Sequence, residues 1–213
     1  MKIREILQKY YQLSNCSITT LEGYDSFNFK VVCDKGIFVL KKYQYTAQTF
    51  AILKDENQIL RILSQTNEYD FPEVIATTEE DYLLNHEGCI FRLLTFVHGE
   101  FLGDVEHTEQ LLYTFGNFLA KLDKQLTDVY LPAIAGKQIN WDLQHFRLNH
   151  KLTEYIEDPS DKSLVDYFFM QFEEHVYPNS YDLRKGLIHN DGNDWNVLTS
   201  NQNVSGIIDF GDS

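Results

Sequence analysis

The chain has 213 residues, with 18 lysines and arginines against 32 aspartates and glutamates, and a formal net charge of −14. That acidity argues against nucleic acid or a membrane surface as the partner, because both reward clustered Lys and Arg. Hydrophobic residues at 43% are ample for a folded core and argue against a disordered acidic segment.

Cys16, Cys33 and Cys89 stand far apart with no Cys-x-x-Cys pair. Neither a disulfide framework nor a zinc site is expected, and free thiols in a reducing cytoplasm fit. The N-terminus lacks a secretory apolar segment, and no run approaches the roughly 18 apolar residues of a membrane span.

In chain order, Ile3, Ile6, Leu7 and Tyr10 have the spacing of a short helix. From residue 17 the pattern changes. Residues 26–31 alternate, Asp34-Lys35-Gly36 reads as a turn, and residues 37–41 are strand-like, which predicts a hairpin. A helix is predicted over 47–65, with Ile52, Ile59, Leu60 and Leu63 on one face. Glu56 falls on that same face. It either finds a buried partner or lies at the stripe's edge and reaches water. A second hairpin is predicted from Tyr82-Leu83-Leu84, a turn at 85–88 and the run from Cys89 to Leu94.

After His98-Gly99 the pattern becomes mainly helical. Thr108 is the expected N-cap of a helix carrying Leu111, Phe115, Phe118, Leu119, Leu122 and Leu126. Asp158-Pro159 opens another, carrying Leu164, Phe168, Phe169 and Phe172. A strand-rich part with one long helix, followed by a helical part, predicts an α+β fold of two lobes, 1–95 and 96–213. Their net charges are −3 and −11.

The stretch from Leu187 to Ser213 carries the chemistry. Two apolar strands, 196–199 and 204–208, flank a polar turn. Folding them about the midpoint of residues 202 and 203 sets Asn196 opposite Asp209, ~5 Å apart on neighbouring strands. A polar loop with His189, Asp191 and Asp194 precedes them. Oxygen ligands from Asn196 and Asp209, with Asp191 nearby, suit a hard Mg²⁺ ion. A carboxylate left off the metal can take the proton of a hydroxyl nucleophile. The rival readings fail. A calcium loop from Asp191 would need Gly at position 6 and Glu at position 12, but Gly is at position 2 and position 12 is Gln202. Zinc lacks further His or Cys at ligand spacing, and there is no G-x-S-x-G elbow.

This stretch resembles the small-molecule phosphotransferases of protein-kinase-like fold, the aminoglycoside phosphotransferase and choline kinase group. Their H-x-D-x-x-x-x-N signature, hairpin and apolar-apolar-Asp are met by His189, Asp191, Asn196 and Ile207-Ile208-Asp209. HNDGNDWNVL with GIIDFGD is closest to the hydroxylysine kinase branch. The resemblance implies that Asp191 is the catalytic base and that His189 buttresses its loop. It implies that Asn196 and Asp209 hold Mg²⁺ on the phosphates of ATP.

Upstream, Phe38-Val39-Leu40-Lys41 resembles the strand ending in the phosphate-pairing lysine. Glu56 then becomes its ion-pair partner. Strand alternation alone leaves Lys42 as a competitor. The resemblance places Ser26 and Asn28 in the loop over the phosphates, within Gly23-Tyr24-Asp25-Ser26-Phe27-Asn28. It places Thr95-Phe96-Val97 at the hinge that meets adenine. Asn190 stands where protein kinases carry an activation-loop arginine, so a small-molecule acceptor is expected.

The implied reaction moves the ATP γ-phosphoryl to a hydroxyl of an amine-bearing metabolite resembling hydroxylysine, homoserine, choline or an aminoglycoside. A nucleotide-binding module without turnover is the alternative. Members of the group continue beyond the position of Ser213, so an incomplete large lobe is expected. The acidic half suits a cationic acceptor, and a solvated surface accounts for those acids equally well.

Overall fold

The computed structural model describes residues 2–23, 26–66 and 68–213. The chain divides into two compact units, Met1–Ala135 with Gly186–Ser213, and Gly136–Lys185. The boundary expected after residue 95 thus falls inside the first unit.

The first unit begins with α1 (Ile3–Tyr11), β1 (Ser17–Leu21), β2 (Phe27–Cys33), β3 (Gly36–Gln44) and α2 (Ala47–Leu63). Short β4 (Val74–Ile75) and β5 (Leu84–His86) lead to β6 (Cys89–Thr95). The sheet order is β1-β2-β3-β6-β4, with β5 also on β6, and every pair is antiparallel. Each predicted hairpin here closes with two residues, at Asp34-Lys35 and Glu87-Gly88. The second turn is shorter than expected. Glu87 and Gly88 both take positive φ, 49° and 73°, the turn whose twist matches the strands and lets pairing run on to His86. Thr46 caps α2 by accepting a hydrogen bond from the Thr49 N–H at 2.9 Å. Ile6 and Leu7 of α1 bury against Val31, Leu40 and Leu93 of the sheet.

After β7 (Glu100–Phe101) come α3 (Glu109–Leu126) and α4 (Pro132–Ala135). Thr108 caps α3 as expected, 3.2 Å from the Leu111 N–H. Leu111, Phe118, Leu122 and Leu126 of α3 share one core with Ile59, Leu60 and Leu63 of α2. Asp55, buried on α2, accepts the Ala133 and Ile134 N–H groups at 2.8 and 3.3 Å. A carboxylate thereby satisfies the free amides that open α4.

The second unit holds a 3-10 run over Leu143–Tyr155 and α5 (Pro159–Gln171). Asp158 caps α5 through the Ser160 and Asp161 N–H groups, as Asp158-Pro159 predicts. Phe146 packs on Phe169 and Phe172 at ring separations of 4.4 and 4.6 Å. Leu164 and Phe168, expected on the packed face, are 55% and 57% exposed.

The chain re-enters the first unit at residue 186. It ends in β8 (Val197–Ser200) and β9 (Asn203–Ile207), which form a three-stranded sheet of order β7-β8-β9. The predicted register is off by one at the site. Asn201 and Gln202 form the turn, both at positive φ, and Ser200 faces Asn203. A bulge between Leu198 and Thr199 shifts the pairing again. The Ile208 N–H therefore bonds the Asn196 carbonyl at 2.9 Å, and Asp209 lies one residue beyond that contact.

Residue 70 clips this hairpin from the side. The Asp70 N–H donates to the Ser205 carbonyl at 2.8 Å, and Asp70 forms a parallel bridge with Gly206. A Cβ on Gly206 would collide with the Asp70 carbonyl oxygen. Gly206→Ala is expected to cost about 1–3 kcal/mol, read as a lower urea midpoint. Gly116→Ala, inside α3 with nothing near the added carbon, is expected to stabilise by up to ~1 kcal/mol. Equal effects at the two sites would refute the clip.

Candidate active site

Asn28, Lys41 and Arg92 stand directly opposite one another on β2, β3 and β6. Opposed residues share a sheet face, so these three form one polar row. Lys42 belongs to the other face, in register with Phe27 and Phe91. Its ammonium lies 5.8 and 6.0 Å from those ring centroids. The register thus separates two lysines that alternation left open.

The expected Lys41–Glu56 ion pair is not made. Glu56 pairs instead with Arg92, 2.8 Å away, and both side chains are buried. The guanidinium also donates to Asn57 Oδ1 at 3.2 Å and Tyr43 Oη at 3.0 Å. Lys41 turns to Asp209, with Nζ 3.1 Å from Oδ1. A planar guanidinium can serve three acceptors at once, whereas an ammonium is a point charge that goes to the remaining carboxylate. Arg92 was missed, although a lone arginine in the apolar run Ile90-Phe91-Arg92-Leu93-Leu94 is visible in the sequence.

Burial works against the Lys41 charge. Tyr43, Asp209 and Glu56 outweigh it, with Arg92 opposing, and hold the ammonium above the usual lysine pKa. Burial also works against the Asp209 carboxylate. Lys41, Arg92 and the Gly211 N–H overcome it and hold the group below its ordinary value. Asp209 takes a left-handed φ of 64°, a strained setting for a residue with a Cβ.

His189 is 2% exposed. Its Nε2 donates to the Ile208 carbonyl at 3.0 Å, and its Nδ1 accepts the Asp191 N–H at 3.2 Å. That assignment requires the neutral ring, and burial pushes the imidazole pKa down in agreement. His189 is therefore a strut between the polar loop and the end of β9. Phe210 packs against it, edge to face, at 4.6 Å.

Asp191 is held by two side-chain amides. Its Oδ1 accepts from Asn193 at 2.8 Å and its Oδ2 from Asn196 at 2.7 Å. The Asn196 NH₂ also donates to the Asp191 carbonyl at 2.9 Å. The Asn196 amide thus spends its nitrogen on the loop, and its Oδ1 is the end left for a ligand. Asn193 was not anticipated. Asp194 is exposed.

Ser26 donates to Asn28 Oδ1 at 2.8 Å, and Asn28 donates to the Glu22 carbonyl at 3.2 Å. The loop before β2 is tied to the polar row through Asn28; Tyr24 and Asp25 lie outside the described residues. At the expected hinge, the Thr95 and Phe96 N–H groups bond the Glu73 and Ile37 carbonyls at 2.9 and 3.1 Å. Val97 is the member of the three without such a backbone bond among the described residues.

Asn196 Oδ1 and the Asp209 carboxylate are hard oxygen donors at adjoining strand ends, a set that fits Mg²⁺. Among the described residues, no cluster of three or more His, Cys, Asp or Glu could hold a metal by itself. Such a pair is what an ion shared with phosphate oxygens needs.

Residues 17–213 match the sequence profile of the phosphotransferase enzyme family. Hydroxylysine kinase of Mus musculus is 24% identical over 238 residues, covering 97% of this chain and 62% of its own length. The chain thus spans less than two thirds of that relative. The microcompartment-associated aminopropanol kinase superposes with a TM-score of 0.73 at 19% identity, over 98% of this chain and 68% of that one. Amicoumacin kinase, solved with AMP-PNP, Ca²⁺ and Ami, gives 0.68 at 16%, over 92% and 58%. The fold is the α+β, protein-kinase-like fold of these enzymes.

The two pKa shifts set how the Lys41–Asp209 pair answers to pH. The lowered Asp209 value gives stability that is present above about pH 4 and lost as pH falls through the folded pKa. The raised Lys41 value gives stability that is present below about pH 10.4 and lost as pH rises through its folded pKa. Lys41→Met is expected to move the Asp209 carboxyl pKa upward, followed by carbon-13 NMR. An unmoved resonance would show that the pair does not govern it.

Proposed function

The chain belongs to the phosphotransferase enzyme family, and we propose that it transfers the γ-phosphoryl of ATP, with Mg²⁺, to a hydroxyl of a small amine-bearing metabolite such as hydroxylysine. The observation that carries this reading is the junction of the 189–196 loop with the end of β9. There an Asp191 carboxylate held by two amides stands with the Asn196 oxygen and Asp209, and Asp209 reaches Lys41.

Asp191 takes the acceptor's proton as the hydroxyl oxygen forms its bond to the γ-phosphorus and the bond to ADP breaks. Hydrogen bonds from Asn193 and Asn196 aim the carboxylate. His189 holds both the Asp191 N–H and the Ile208 carbonyl, so base and metal ligands keep one spacing. Asn196 Oδ1 and Asp209 hold Mg²⁺, which when bound offsets charge on the phosphates. Lys41 pairs with the phosphate oxygens, Ser26 in the preceding loop and Asn28 on β2 lie beside them, and Val97 offers its N–H to adenine. Catalysis is chiefly placement and charge stabilisation.

On this reading residues 1–95 hold the nucleotide, and residues 96–213, with net charge −11, carry the base and the metal ligands and favour a cationic acceptor. A cytoplasmic location belongs to the same reading; no described helix is long and apolar enough to cross a membrane. Binding of nucleotide without turnover is the second reading; it needs Lys41 and the two oxygen ligands but not the Asp191 base.

An ADP-release assay over hydroxylysine, homoserine, choline and an aminoglycoside separates the two. Turnover with at least one acceptor is expected, and none with any would favour the binding module. Asp191→Asn is expected to lower kcat by about 10²–10⁴ while AMP-PNP affinity holds. Undiminished kcat would remove Asp191 from the base role.

A further inference from the structure

Four ionised groups meet on one side of the β3–β6 pair. Lys41 and Arg92 stand opposite each other, Glu56 comes from α2, and Asp209 follows β9. Like charges directly opposite one another destabilise a sheet, so each cation needs a carboxylate. The two pairs differ in character. Arg92 and Glu56 are 4% and 6% exposed, and Tyr43 and Asn57 also accept from the guanidinium. Separating them would leave buried charge unpaired. Lys41 and Asp209 share one contact of 3.1 Å, and the Asp209 side chain is 46% exposed. The first pair is fixed and the second is open to exchange.

We infer that Arg92 is a positioning residue for this site. By committing Glu56, it leaves Lys41 and Asp209 to mask one another until a divalent cation and a phosphate part them. The inference rests on the nucleotide reading for what the two freed groups then hold. A cation on Asp209 frees the ammonium, and a phosphate on Lys41 frees the carboxylate. Both ligands break the same contact, so whichever binds second finds it broken, and the two bind with positive coupling. Without Arg92, Glu56 would draw Lys41, which already feels its charge, and Asp209 would be released. Without the Glu56 charge, Arg92 would stand unneutralised directly opposite Lys41, and the two cations would hold the one carboxylate that Lys41 already contacts, Asp209, more tightly.

The test titrates the metal-free chain with Mn²⁺, an oxygen-seeking stand-in for Mg²⁺ followed by electron paramagnetic resonance. A separate titration uses AMP-PNP in EDTA. Arg92→Met is expected to bind Mn²⁺ about five-fold tighter and AMP-PNP about five-fold weaker. Glu56→Gln is expected to bind Mn²⁺ about five-fold weaker. Loss of packing alone would weaken both ligands together in Arg92→Met, and that result overturns the inference. If Arg92→Met does not fold, Glu56→Gln decides: unchanged or tighter Mn²⁺ binding overturns it. A wild-type chain that binds no AMP-PNP overturns the nucleotide reading. The opposed Mn²⁺ shifts would still uphold the role of Arg92.

Discussion

A guanidinium buried in the middle of a sheet must be neutralised where it stands. Arg92 is 3% exposed on β6, and much of the first unit is arranged around that requirement. Its carboxylate comes from α2, which brings Glu56 to the sheet while Ile59, Leu60 and Leu63 pack into the core shared with α3. The position of α2 is therefore set by apolar packing and by one ion pair together. Asp55, next along the helix, caps α4, so adjacent acids serve two different neighbours. Because Glu56 is taken, Lys41 pairs with the chain end that follows β9. The buried pair thus decides which carboxylate the lysine meets.

The candidate site also depends on turn geometry and on short polar links. The two-residue turn at Asn201-Gln202 and the bulge at Leu198/Thr199 set which residue of β9 faces Asn196. His189 then spans from the polar loop to Ile208, and Asp70 braces the far strand through Gly206. Each link is a backbone hydrogen bond to a buried or confined group, and such links hold a site more closely than contacts between long exposed side chains. Asp191 gains its fixed aim from two asparagines, and Asp209 from a left-handed backbone that few residues accept without cost.

Much of this was legible in the sequence. Periodicity marked α1, α2 and α3, and Thr108 and Asp158 capped the helices that they were expected to cap. The motif spacing put His189, Asp191 and Asn196 in one loop, and the predicted hairpin brought Asp209 to it one register position away from the observed pairing. These features are local, because helical pitch, cap chemistry and hairpin return act over a few residues. The exposed Leu164 and Phe168 on α5 show the limit. An apolar residue at a helical period states what a helix can bury, and does not state what lies against it.

The sequence by itself determined the longer helices, the main hairpins, the polar loop and the family of chemistry that the loop suits. Only the tertiary structure decided the partners. Lys41 and Lys42 are neighbours that alternation cannot rank, and pairing with Asn28 and Arg92 ranks them. Glu56 announced that it needed a buried cation, but its partner lies 36 residues away on β6 and competes with Lys41 for it. Which opposite charges meet is fixed by strand register and burial, and both arise from contacts between segments that the order of residues does not place side by side.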